Sequence, residues 1–296
     1  MAIKNDYAAC YQLAKSHYEN FPVASFILPK SLRDAVVAIY AFARMADDIA
    51  DDCQQPLDTP QARQAKLNTY ADKIHLIAEH SQDLNPDSAE ARDWAMSRLG
   101  NDPYFLALFD TIVRHQLNPQ YFLDLLTAFS FDTTLTTLQD EAQLLWYCRH
   151  SANPVGRLLL QLFKVENEAA LQASDALCTA LQLLNFLQDW HEDLIQRNRC
   201  YFPMTELNAA GLSLSDLQSL QHPEKIRIFL NQNLHRPETL LKNSKALLNH
   251  LPLRYRIHIF LVILGAHGIM RALKARKQPN TRPKLSCLTL LKSFMP

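Results

Sequence analysis

Residues 183–194 read LLNFLQDWHEDL, and residues 41–52 read AFARMADDIADD. Each stretch sets two aspartates four positions apart inside an otherwise apolar run: Asp189 and Asp193 in the first, Asp47 and Asp51 in the second. On a helix, side chains four apart share a face, with Cβ atoms about 5–6 Å apart. Two carboxylates that close repel unless a cation lies between them. Hard cations such as Mg²⁺ take oxygen ligands and often bridge a carboxylate to a substrate phosphate. The acids also belong to longer polar stripes. Tyr40, Arg44, Asp47, Asp48 and Asp51 fall on one face, and so do Gln182, Asn185, Asp189 and Asp193. Val36, Val37, Ile39 and Phe42 back the first stripe, and Leu177, Leu181 and Leu184 the second. For either pair alone, a solvated helix face is the plainer reading. Two such pairs, each in an apolar surround with Arg44 or Asn185 on the same face, point instead to acids lining a cavity of a helical bundle.

The rest of the chain fits an all-α protein. Apolar residues recur at three- and four-residue spacing almost throughout, punctuated by prolines and cap residues. Helices are expected near 6–19, 60–80, 87–98, 103–116, 119–130, 138–152, 155–163, 167–195, 213–220, 223–249 and 253–277. Another should start at a capping box, Ser31 to Asp34, and run to about Cys53. Thr59-Pro60, Asn118-Pro119 and His222-Pro223 read as helix starts, and Asn153-Pro154 as a bend. The β-branched stretch Thr133–Leu138 is short and reads as a loop.

Composition narrows the function. The 296 residues carry 30 Lys+Arg and 30 Asp+Glu, so no net charge steers the chain to nucleic acid. Five glycines, and neither a GxGxxG nor a GxxxxGK[ST] pattern, argue against the common nucleotide sites. Six scattered cysteines without a CxxC suggest reduced thiols in a cytoplasmic protein. The opening MAIKNDYAAC has no apolar core of a signal peptide. The longest fully apolar run, Ile259–Ala266, is far shorter than a membrane span. No HExxH or clustered His/Cys set suggests zinc, and His17, His150 and His191 read as packing or surface residues. Arg197-Asn-Arg199-Cys-Tyr201 follows the second acid pair, where a guanidinium fork suits a diphosphate. Residues 271–284 hold six basic and no acidic side chains and could rest on anionic lipid.

At these motifs the chain resembles the squalene/phytoene synthase family of head-to-head prenyl transferases, over nearly its whole length. YAFARMADDIADD matches the family's first aspartate motif and NFLQDWHEDLIQRNRCYFP its second. SHYENFPVASFILP (16–29), YAFARMADDIAD (40–51) and YCRHSANPVGRLLL (147–160) resemble most the bacterial hydroxysqualene synthases of hopanoid pathways. The resemblance implies an isoprenoid synthase fold: a single helical bundle around a central cavity, spanning residues 1–278 with a basic and apolar tail at 279–296. It implies two or three Mg²⁺ held by Asp47, Asp51, Asp189 and Asp193, with Asp48 and Asn185 assisting. Arg44, Arg199 and Tyr201 would hold diphosphate, and Tyr40, His17, Asn20 and Gln188 would also meet substrate. The implied reaction converts presqualene diphosphate to hydroxysqualene without NADPH. Tyr18, Glu19, Asn20 and Tyr147 are candidates to deliver the attacking water. Phe21, Phe26, Phe42, Leu158, Leu159, Leu183 and Phe186 would form the pocket wall. Peripheral membrane contact and pathway enzymes are the expected partners.

Three features depart from the wider family. His17-Tyr-Glu19-Asn20-Phe21 replaces a Ser-rich segment, Thr137-Leu138 an Arg-Tyr, and Asn153-Pro154 a glycine. The alternatives are condensation of two farnesyl diphosphates to presqualene diphosphate or squalene and, in another class, a catalytically silent helical partner subunit.

Overall fold

The computed structural model describes residues 3–16, 28–51 and 59–283. These form fourteen α-helices, a 3-10 turn and a two-strand ladder. The helices are α1 (Ile3–Ser16), α2 (Lys30–Asp51), α3 (Pro60–His80), α4 (Ala89–Leu99), α5 (Pro103–His115), α6 (Gln120–Asp132), α7 (Glu141–Ser151), α8 (Asn153–Leu162), α9 (Glu168–Gln196), α10 (Met204–Ala209), α11 (Leu214–Ser219), α12 (Pro223–Asn233), α13 (His235–Ser244) and α14 (Leu253–Ala275). The strands are β1 (Thr137–Leu138) and β2 (Cys200–Pro203). The chain divides into two compact units: residues 1–134, 154–166 and 252–258, and residues 135–153, 167–251 and 259–296.

In the first unit, small side chains let helices approach closely. Cys10 of α1, Val37, Ala38 and Ala41 of α2, and Ala107 of α5 form one cluster without solvent exposure. Larger rings fill the space beside it. Phe42 meets Phe122 edge-on at 5.3 Å and Phe105 at 6.2 Å, and Tyr70 meets Phe105 at 4.8 Å. A buried polar knot ties α1 to α5, where the Tyr7 hydroxyl donates to Asp110 Oδ2 at 2.8 Å and Arg114 grips the same carboxylate. Burial holds the Tyr7 phenol far above its ordinary pKa.

The second unit is built on α9, whose 29 residues span about 43 Å at 1.5 Å per residue. Asn167 caps its first turn, accepting from the Ala170 amide at 2.9 Å. Thr179 on α9 donates to Asn153 at 2.9 Å, which satisfies a buried amide. β1 and β2 pair in parallel with Thr137 opposite Cys200, and Cys200 N donates to Thr136 O at 2.8 Å.

Most expected helices lie within a few residues of their observed ends; strand β2 and the short helix α10 were not expected, and three further points differ. α2 begins at Lys30, because the Arg33 amide already bonds to Pro29 O at 3.0 Å; Ser31 is therefore inside the helix and not its cap. Part of the expected loop at 133–138 is strand β1, whose partner lies 63 residues further on and gives no local signal. The single helix expected over 223–249 breaks at Leu234 and ends in a 3-10 turn at Lys245–Asn249. Pro237 explains the break, since it has no N–H to offer the Asn233 carbonyl and its ring crowds that oxygen.

Helix α14 is long and apolar enough to cross a membrane by length and composition, although no fully apolar run in it approaches that length. Half of its most apolar window is buried inside the protein. Cys10, Cys148 and Cys200 are buried thiols outside any disulfide, and burial pushes their pKa to about 12, 12 and 11.

Phe122 has no exposure and Ile228 is 54% exposed. Phe122→Ala should therefore cost about 3–5 kcal/mol in urea unfolding, while Ile228→Ser should stay within about 0.5 kcal/mol of the parent.

Candidate active site

The first acid pair lies toward the C-terminal end of α2, on the face opposite its buried Ala35, Ala38 and Phe42. Tyr40 is partly buried on the acid-bearing side. One turn on, Arg44 reaches Asp48 at 2.5 Å and Asp47 at 3.6 Å. Asp47 keeps 36% side-chain exposure yet is crowded by protein and by Asp51, and both effects raise its pKa well above the ordinary carboxylate range. Asp132, 3% exposed at the end of α6, adds negative charge toward Asp47. The pair is thus recessed, reachable from solvent and in need of positive charge.

Buried Arg63 of α3 braces this end of the unit. Its Nη1 donates to Ala50 O at 2.8 Å and its Nη2 to Thr133 O at 3.1 Å. One cation thereby joins the C-terminal ends of α2 and α6, where helix dipoles are negative. Neither Arg63 nor Asp132 stood out in the sequence, because each is a single polar residue in an ordinary helical pattern.

The second pair lies in the last two turns of α9. Arg197 Nη1 donates to Asp193 Oδ1 at 3.1 Å. The backbone amides of Arg197 and Arg199 both donate to Asp193 O at 3.1 Å. Asn198 makes that reversal possible by taking φ of 53°, a left-handed conformation that asparagine tolerates better than most residues. The reversal delivers Arg199, 4% exposed, and Tyr201 to the side of α9. Tyr201 stacks on Phe186 at 4.1 Å, and Tyr147 of α7 packs on both rings at 5.3 and 5.7 Å.

Asp189 is 26% exposed and carries a bidentate partner: Arg282 Nε to Oδ1 at 2.5 Å and Nη2 to Oδ2 at 3.0 Å. Gln188 is buried and donates to Pro283 O at 2.6 Å, and Asn185 faces solvent. Arg282 belongs to the basic run that the sequence suggested for a lipid surface. Within this unit, Lys274 of that run pairs with Glu238 at 2.9 Å, and Arg276 is buried against Leu187 O at 3.0 Å.

Of the other expected residues, His17, Tyr18, Glu19, Asn20, Phe21 and Phe26 lie outside the described residues. Phe42, Leu158, Leu183 and Phe186 are buried in apolar packing, and Leu159 is partly exposed. Among the described residues, no group of three or more His, Cys, Asp or Glu side chains is gathered to hold a metal unaided.

The chain is similar to known proteins over most of its length. Residues 14–289 match the family described as squalene/phytoene synthase. A hydroxysqualene synthase of Sinorhizobium fredii is 33% identical over 92% of this chain and 85% of its own length. One from Rhodopseudomonas palustris is 34% identical over 90% and 83%. The crystal structure of a squalene synthase from Alicyclobacillus acidocaldarius superposes with a TM-score of 0.76 at 31% identity, covering 92% of this chain and 94% of that one. A dehydrosqualene synthase in complex with ligand shares the fold, with a TM-score of 0.76 at 21% identity over 99% and 95%. The chain therefore belongs to the squalene/phytoene synthase family, as an enzyme of prenyl-diphosphate chemistry on an all-α isoprenoid synthase fold.

Proposed function

We propose that this enzyme converts presqualene diphosphate to hydroxysqualene and releases diphosphate. The observation that carries this reading is the name shared by relatives 33–34% identical over nine-tenths of the chain. The donor set fits Mg²⁺: two carboxylate pairs, each short of the ligands a cation needs. Mg²⁺ characteristically binds one or two carboxylates and draws its remaining oxygens from substrate phosphates and water. Asp47 and Asp51, assisted by Asp48, would hold it in one unit, and Asp189 and Asp193, with Asn185, in the other. When bound, Mg²⁺ neutralises charge that develops on a departing diphosphate.

The chain's own groups account for the remaining steps. Arg44 and Arg199 offer guanidinium forks to the diphosphate oxygens, with Tyr40, His17, Asn20, Gln188 and Tyr201 as further substrate contacts. The C–O bond breaks with its electron pair on diphosphate and leaves a cyclopropylcarbinyl cation. Ring faces of Phe186, Tyr201 and Tyr147 suit such a cation through their quadrupoles, and the apolar surround keeps bulk water out. After rearrangement one water adds its oxygen to the cation and loses a proton, with Tyr147 the described candidate to position it. No nicotinamide enters this balance. Substrate and product both carry long apolar isoprenoid chains, which supports weak exchange with a bilayer; exposed Leu253 and Ile257 on α14, beside exposed Arg254 and Arg256, suit such contact.

A second reading, condensation of two farnesyl diphosphates, is favoured by the squalene synthase structure at 31% identity. Gas chromatography–mass spectrometry separates the two. With Mg²⁺ and no NADPH, presqualene diphosphate should yield hydroxysqualene and farnesyl diphosphate should yield nothing. Presqualene diphosphate accumulating from farnesyl diphosphate would move the chain to the condensing reaction.

Asp47→Asn and Asp189→Asn should each lower kcat by about 10²–10³, the scale set by losing one electrostatic contact to the transition state. Chelation with EDTA should abolish turnover, and added Mg²⁺ should restore it. Turnover that survives EDTA would remove the metal from the reaction.

A further inference from the structure

Four consecutive residues of α9 bind the segment that follows α14. Leu187 O accepts from Arg276 Nη1 at 3.0 Å, and Gln188 donates to Pro283 O at 2.6 Å. Asp189 takes both bonds of Arg282, and Trp190 Nε1 donates to Pro279 O at 2.9 Å. Arg282 Nη1 also stands 3.8 Å from Glu192.

Asp48 takes its arginine from the same helix and Asp193 from the residue that caps α9, each four residues away, so those cations travel with the acids they neutralise. Arg282 differs, because it lies 93 residues from Asp189 on non-helical chain and can withdraw without unwinding α9. A bidentate guanidinium engages both carboxylate oxygens, the same lone pairs that a divalent cation would use.

We propose that Arg282 is a resident counter-cation for Asp189, one that a divalent cation must displace before Asp189 can serve as its ligand. The inference rests on the reading of Asp189 as a metal ligand. The segment 276–283 then acts as a strap that sets how readily this helix takes metal. While the metal is absent it keeps the carboxylate paired and in position, and it opposes adventitious binding of cations before substrate brings further oxygens. The hydrogen bonds from Gln188, Trp190 and Arg276 keep the guanidinium nearby and so make the competition effective.

The test uses the full chain and Mn²⁺ as the probe, read by loss of the free-ion electron paramagnetic resonance signal with no substrate present. Arg282→Gln should bind Mn²⁺ about 5-fold more tightly than the parent, the factor controlled by a half-exposed ion pair. Arg282→Lys should lie between, since it retains the charge without the fork. Trp190→Phe breaks the Pro279 tether without changing charge and should shift affinity the same way by a smaller factor. Circular dichroism confirms that each variant is folded. In the parent, Mn²⁺ with inorganic diphosphate should speed tryptic cleavage after Lys277, as the strap is released. Unchanged or weaker Mn²⁺ binding in Arg282→Gln, with Asp189→Asn clearly weakened, overturns the counter-cation role and leaves the ligand reading intact. If Asp189→Asn binds Mn²⁺ as tightly as the parent, the ligand reading itself fails.

Discussion

Carboxylates four residues apart on a helix raise each other's energy, and partial burial sharpens the effect because less water screens them. The two halves of this protein meet that constraint in the same way, with arginine. Arg44 reaches forward along α2 to Asp47 and Asp48, Arg197 reaches back at the end of α9 to Asp193, and Arg282 comes from distant chain to Asp189. The alanines of α2 and α5 allow these helices to pack closely, with Ala41 seven residues before Asp48 at the edge of the polar stripe. Arg63 then locks the end of α2 to the end of α6. Much of the first unit is thus a rigid mount for a few negative charges that the protein alone only partly compensates.

What could be read from sequence follows the range of each interaction. Helix positions and the two acid pairs were legible because both depend on spacings of three and four residues. The α12–α13 break was missed although Pro237 marks it, since the apolar spacing continues across the proline. Ladder β1–β2 and the Asp189–Arg282 pair join positions 63 and 93 residues apart, where no periodicity operates. Arg282 was visible only as one basic residue among six in a run read for lipid contact, and nothing local to it signals its pairing with Asp189.

The aromatic cluster of Tyr147, Phe186 and Tyr201 shows how the two levels meet. Phe186 is placed by the helical pattern of α9. Tyr201 reaches it only because Asn198 accepts a left-handed turn that folds the chain back along the helix. The same turn presents two backbone amides to the Asp193 carbonyl. A single conformational choice therefore sets the acid-bearing end of α9 and the ring faces next to it.

The long reach of the strap also bears on the order in which the protein is made. Leu187 and Trp190 take partners 89 residues later, and Asp189 one 93 residues later. Contacts of such separation close late, because the entropy of the intervening loop is spent before they return anything. During synthesis α9 leaves the ribosome well before Arg276, Pro279 and Arg282 exist. For that interval its acidic turn is uncompensated by them, and the second unit completes these contacts only once Arg282 has emerged.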